Sequence, residues 1–176
     1  IRQHTAQPPV VDIIHLSPIG FFIYRFTSLF LGADKQNAFS TGDGIADKII
    51  GRSEHPDGFL QVDEQPPASM GKAETLGGFL QWGVEKYPAD KYMCLIWNHG
   101  GGSVAGVAFD ERFEYDSLSL RELAAGIAAP AVQFEVIGFD ACLMSTLETA
   151  AALAPYGRYM VASEEIEPGT GWDYTA

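Results

Sequence analysis

The sequence predicts an α/β domain built on a mostly parallel sheet, and three observations carry that prediction. YMCLIW at 92–97, FEVIGF at 134–139 and YMVAS at 159–163 are apolar runs of strand length without polar alternation. Strands buried on both faces read this way. Segments of helical spacing lie before and between them. The order strand–helix–strand–helix–strand requires right-handed crossovers and a mostly parallel sheet with helices on both faces.

Residues 1–68 signal weakly. VVDII at 10–14 and the apolar run at 21–31 are candidate strands, and 32–68, rich in Gly, Asp, Pro and Glu, reads as loop with a short ribbon. In KAETLGGFLQWGVEKYP at 72–88, Leu76, Phe79, Leu80, Val84 and Tyr87 share a helical face and Pro88 stops the helix. Its two central glycines weaken it. The strand at 92–97 runs into the loop NHGGGS, and GVAF at 106–109 is a short second strand. Ser119 and Glu122 form a capping box, Leu118 and Leu123 fit a hydrophobic staple, and the helix they open ends near Pro130. After the strand at 134–139, LMSTLETAAALA at 143–154 is a helix with Met144, Leu147, Ala151 and Ala154 facing inward.

Composition narrows the function. The chain has 176 residues, is 47% hydrophobic and carries a formal charge of −12. Residues 1–88 hold 7 basic and 10 acidic side chains, whereas residues 89–176 hold 4 and 13. An acidic surface argues against nucleic acid or an anionic membrane as partner and favours cations or basic peptides. Two cysteines make no disulfide framework. The run at 21–31 contains Arg25 and is too short to span a membrane, and it is a poor signal peptide. The chain begins at Ile1 rather than Met and closes on EEIEPGTGWDYTA. A fragment of a longer protein is expected.

In open parallel sheets, ligands sit beyond the carboxyl ends of the strands. Those ends carry Asn98-His99-Gly100-Gly101-Gly102, Asp140-Ala141-Cys142 and Ser163-Glu164-Glu165. If the first two strands are neighbours, His99 and Cys142 share one sheet edge. A thiol is mostly protonated at neutral pH, with a pKa of about 8.5. A position opening a helix favours its anion, and an imidazole beside it can move the proton. The N–H groups of Gly100 and Cys142 are candidates for an oxyanion hole. Against this stands the tendency of free cysteine to be core, and Cys94, inside an apolar run, is assigned there. His4, His15 and His55 carry no supporting pattern. No Cys/His spacing resembles a zinc site, and NHGGGS lacks the Lys-Ser/Thr of a phosphate loop.

At these residues the chain resembles the clostripain-like cysteine peptidases of the caspase–gingipain–legumain clan. The matching pieces are PPASMGKAETLGGFLQWG at 66–83, YPADKYMCLIWNHGGG at 87–102, EVIGFDACLMSTLETA at 135–150 and YMVASEEIEPGTGW at 159–172. The resemblance implies a caspase-like three-layer αβα sandwich, incomplete in this chain. Residues 66–176 are its core and residues 1–65 a poorly defined N-terminal part of the same domain. It also implies a cysteine endopeptidase cleaving after Arg or Lys. His99 matches the catalytic histidine, Cys142 the nucleophile and Gly100 the oxyanion-hole glycine. Asp140 matches the carboxylate of the specificity pocket, and Ser163 and Glu164 its wall. Members often process themselves between histidine and cysteine; of Arg112 and Arg121, the only basic residues there, Arg112 lies on a polar link and is the candidate. Some relatives need calcium, but no Asp-x-Asp-x-Asp-Gly loop is present. The expected partner is a peptide or protein with a basic residue before the scissile bond, and the expected location is secreted or at a bacterial cell surface. Two alternatives stay open: a catalytically silent peptide-binding module, and a thiol-dependent amidase or acyltransferase.

Overall fold

The structure is a computed structural model. It describes residues 68–169, 171 and 172, and the backbone of four earlier strands. These are β1 (Val10–Leu16), β2 (Phe21–Thr27), β3 (Asp47–Gly51) and β4 (Leu60–Gln65). Both candidate strands of the first third are therefore present, and β3 with β4 is the expected ribbon. Residues 28–31 of the second run, His4 and His55 lie outside the described residues.

The main sheet has the order β4-β3-β1-β2-β5-β8-β9, where β5 is Lys91–Trp97, β8 Phe134–Asp140 and β9 Gly157–Val161. β5, β8 and β9 pair in parallel, while β2 joins β5 antiparallel and the earlier strands follow as antiparallel pairs. Following those directions, β1, β4, β5, β8 and β9 run one way and only β2 and β3 oppose them. The sheet is mostly parallel, as the order of elements predicted.

Alternation along β5 separates two environments. Tyr92, Cys94 and Ile96 enter a core with Leu76, Phe79 and Leu80 of α1 (Ala73–Lys86), Leu123 and Ile127 of α3 (Leu120–Ala128) and Leu153 of α4 (Leu147–Leu153). Among the described residues these three helices form one layer, α3 packing against both others. On the opposite face, Met93, Leu95 and Trp172 form a small separate cluster.

Local chemistry explains the boundaries. α3 begins at the capping box read from the sequence: Ser119 Oγ accepts from the Glu122 N–H at 3.3 Å, and Glu122 accepts from the Ser119 N–H at 3.0 Å. The polar link after β6 (Val107–Asp110) holds an unexpected strand, β7 (Asp116–Leu118), which pairs with β6 around a 3-10 turn at Glu111–Phe113. Glu114 and Tyr115 close this hairpin at φ of 57° and 58°. Neither is the Gly or Asn that marks such a turn in sequence. The turn before α1 docks on this ribbon: Ser69 Oγ donates to Asp116 at 2.7 Å, and the Met70 N–H donates to Asp110 at 2.9 Å. The Ser69 hydroxyl and then Lys72 hold the Asp116 carboxyl below its ordinary range.

One helix departs from expectation. α4 starts at Leu147 instead of residue 143, because Leu143 adopts φ 62° and Thr146 caps the helix, accepting from the Thr149 N–H at 3.1 Å. The cap resets the helical phase. Thr149 and Leu153 face inward, while Leu147 is 83% exposed and Ala151 and Ala154 are exposed too. Met144 is buried, but in the loop ahead of the helix. α2 (Gly102–Ala105), a single turn, also forms inside the glycine loop.

The two glycines of α1 are not equivalent. A Cβ on Gly77 would stand 2.8 Å from Ala129 Cβ at the α1–α3 crossing, whereas one on Gly78 would meet nothing within 4 Å. Gly78→Ala should stabilise the fold by about 0.5–1 kcal/mol through helix propensity. Gly77→Ala should destabilise it by about 1–3 kcal/mol through overpacking. Urea unfolding of both variants checks this; equal shifts of the same sign would contradict the packing account.

Candidate active site

The parallel register of β5 and β8 builds the site. Trp97 pairs with Asp140, and the Asn98 N–H donates to the Asp140 carbonyl at 3.3 Å. His99 and Cys142, each two residues further on, therefore leave the sheet at the same edge. The two loops touch directly: an ideal Cβ on Gly100 would lie 2.1 Å from the Cys142 carbonyl oxygen. Only glycine allows this approach. No described residue accepts a hydrogen bond from the Gly100 or Cys142 N–H. His99 is exposed and Cys142 half-buried.

Contrary to the sequence reading, Cys142 does not open a helix. It lies in a turn, and Leu143 beside it takes a left-handed conformation, which costs a non-glycine residue energy. The helix dipole is thus not aimed at the sulfur. A different donor is present: the Glu167 N–H points to Cys142 Sγ at 3.3 Å.

That donor belongs to a strap running from the end of β9 across the site. The Ser163 carbonyl accepts from the Ser145 N–H at 2.9 Å, and the Glu165 carbonyl from the Leu143 N–H at 3.0 Å. Ser163 Oγ accepts from the Glu165 N–H at 3.1 Å, and Glu164 is exposed. Further on, the Trp172 N–H donates to Asp140 Oδ2 at 2.8 Å, and its indole N–H donates to Glu167 at 3.3 Å. Asp140 is 3% exposed. It does not cap a helix, a role taken by Thr146.

The structure thus brings His99, Gly100, Cys142 and Asp140 to one sheet edge and lays Ser163 against the loop after Cys142. Arg112 is exposed in the 3-10 turn, its N–H bound to Asp110 at 3.0 Å. Sequence reasoning missed Asn98, Glu167 and Trp172. The Asn immediately before His99 and the Pro168-Gly169 turn signal were legible, but only the fold shows what they hold. Among the described residues no three His, Cys, Asp or Glu side chains converge as a metal site, and no helix is long and apolar enough to cross a membrane.

The two thiols differ sharply. Cys94 is fully buried, and burial pushes its thiol up to about 12. Iodoacetamide at neutral pH should therefore alkylate Cys142 faster than Cys94 by on the order of a hundredfold or more. Peptide mapping of the alkylated native protein checks this; preferential labelling of Cys94 would contradict the site.

Comparison with known proteins bears on the family and the fold. The sequence model of the clostripain family matches residues 33–176, reaching upstream of the first resembling segment at 66–83. Clostripain of Hathewaya histolytica is 29% identical over 147 residues, which is 73% of this chain and 27% of that protein. A secreted C11 cysteine protease from Bacteroides thetaiotaomicron, solved with an irreversible peptide inhibitor, superposes with a TM-score of 0.67 at 22% identity, over 77% of this chain and 40% of its own. An inactive zymogen C11 protease from Parabacteroides distasonis superposes with a TM-score of 0.58 at 24% identity, over 78% of this chain and 40% of its own. The chain thus spans about a quarter of that clostripain.

Proposed function

This chain belongs to the clostripain family of cysteine peptidases, and from that premise we propose that it carries the catalytic centre of an endopeptidase cleaving after Arg or Lys. The observation that carries the proposal is the meeting of the His99 and Cys142 loops at one edge of the parallel sheet, with Gly100 against the Cys142 carbonyl.

In this reading Cys142 Sγ, as thiolate, attacks the scissile carbonyl carbon. The oxygen that becomes negative accepts from the Gly100 and Cys142 N–H groups, both without a protein acceptor among the described residues. The C–N bond breaks, the imidazolium of His99 gives its proton to the departing amine, and a thioester remains on Cys142. Water, deprotonated by His99, attacks the thioester and releases the acid and the thiol. The Glu167 N–H would give the sulfur anion a hydrogen-bond partner between turnovers.

Asp140 is proposed as the selector for a basic side chain, with Ser163 and Glu164 along the pocket wall. Its place at the end of β8, two residues before Cys142, supports this, and a carboxylate shielded from water binds a guanidinium that reaches it strongly. The acidic second half of the chain, with 4 basic against 13 acidic residues, favours the same substrates at longer range. Arg112–Phe113 is the proposed self-cleavage bond. Its 3-10 turn must open before the backbone can enter a cleft, which makes such processing slow. Secretion is proposed from the likeness to secreted relatives.

The full protein with an Arg-peptide substrate tests the assignment. Cys142→Ala should lower turnover by several orders of magnitude. Asp140→Asn should cost about 3–5 kcal/mol in kcat/KM for Arg substrates while the protein still folds. A folded Asp140→Asn variant with unchanged Arg preference would remove Asp140 from the pocket. Arg activity surviving Cys142→Ala would overturn the reading. Intact-mass analysis of wild type beside Cys142→Ala checks processing. The expected result is a cut after Arg112 in the wild type alone, and an uncut, fully active chain would contradict it.

A further inference from the structure

We infer that Asn98 is a positioning residue for His99, holding its main chain in place through a single amide oxygen. This rests on the reading of His99 and Cys142 as the catalytic pair.

Asn98 is the first residue past β5 and is 9% exposed. Its Oδ1 accepts two main-chain hydrogen bonds, from the His99 N–H and from the Phe109 N–H at 3.0 Å. Both lone pairs of that oxygen are thereby used. The first bond fixes the Asn98 side chain against the His99 main chain. The second ties it to β6. The Asn98 N–H holds β8 through the Asp140 carbonyl at 3.3 Å. One residue therefore joins the strand that precedes the histidine, the strand that precedes the cysteine, and the ribbon beside both.

The rest of the His99 peptide is gripped by the same ribbon. The Ala108 N–H donates to the His99 carbonyl at 3.2 Å, and the Gly101 N–H donates to the Gly106 carbonyl at 2.8 Å. Ala108 accomplishes this at φ 63°, a left-handed conformation for a buried residue at the irregularity in the β6–β7 pairing. That conformation brings two successive N–H groups, of Ala108 and Phe109, onto the His99 carbonyl and the Asn98 amide. Strained backbone of this kind persists where surrounding structure demands it. The imidazole is exposed, so packing holds it less than it would a buried ring. Its backbone anchor carries the positional precision, and a misplacement of about 1 Å can cost on the order of a hundredfold in rate.

The acceptor pattern makes the role testable. Asn98→Asp keeps an oxygen in place for both N–H groups, whereas Asn98→Ala removes it. In the full protein with an Arg-peptide substrate, Asn98→Ala should lower kcat by about 10- to 100-fold with KM changed less than about threefold. Asn98→Asp should recover most of that loss. In a His99→Ala background the Asn98→Ala change should add nothing further, because the group it positions is gone. Should Asn98→Ala not fold, Asn98→Ser, which shortens the reach to both N–H groups, gives the same comparison. Wild-type kcat in a folded Asn98→Ala or Asn98→Ser protein would overturn the proposal. So would Asn98→Asp as impaired as Asn98→Ala, or full additivity with His99→Ala. A fully active His99→Ala protein would instead overturn the catalytic pair and the proposal together.

Discussion

Trp97 opposite Asp140, in the parallel pairing of β5 with β8, is the constraint from which the site follows. Parallel strands end at the same edge, so loops leaving them emerge side by side. Both loops depart after equal steps, which places His99 beside Cys142. The strands are held at this register by their apolar faces. Cys94, Ile96, Ile137 and Phe139 fill one core under α1 and α3, and Leu95 meets Trp172 on the other side. A slip of one residue would turn each of these side chains to the wrong face. Core packing and site geometry are therefore the same requirement.

Around that register the protein controls its loops with main-chain chemistry rather than with helices. Cys142 sits in a turn followed by a left-handed Leu143, and α4 begins only at Leu147. The strap after β9 holds the cysteine loop, its Ser163 and Glu165 carbonyls accepting from Ser145 and Leu143 and its Glu167 N–H donating to the sulfur. On the other side, Asn98 and the β6–β7 ribbon hold the histidine loop. Glycine at position 100 removes the side chain that would separate the two loops.

The sequence made the frame legible because the frame depends on hydrophobic runs and caps. β5, β8 and β9 announce themselves as apolar runs, and the Ser119–Glu122 box forms as its spacing implies. His99, Gly100, Cys142 and Asp140 were legible because they stand directly at strand ends. The misses share a cause. Leu143, Ala108, Glu114 and Tyr115 take positive φ without being Gly or Asn, so no residue type marks the turns they make. The 143–154 helix reads as starting early because its composition is helical throughout, whereas a left-handed Leu143, its N–H bound to the Glu165 carbonyl, breaks it and the Thr146 side chain caps it locally at Thr149. The strap was invisible for a similar reason, since its bonds to Ser145, Leu143 and Cys142 involve backbone groups that every residue owns.

The central claim is that Cys142, at the edge shared with His99 and two residues past Asp140, is the nucleophile of a basic-specific peptidase. An irreversible peptidyl inhibitor ending in Arg tests it directly, beside the same inhibitor ending in Ala, with the adduct located by mass spectrometry. The account predicts one adduct per chain, on Cys142, formed far faster with Arg than with Ala, and none on Cys94. An adduct on Cys94, equal rates for the two inhibitors, or no adduct on a folded full-length protein would contradict it.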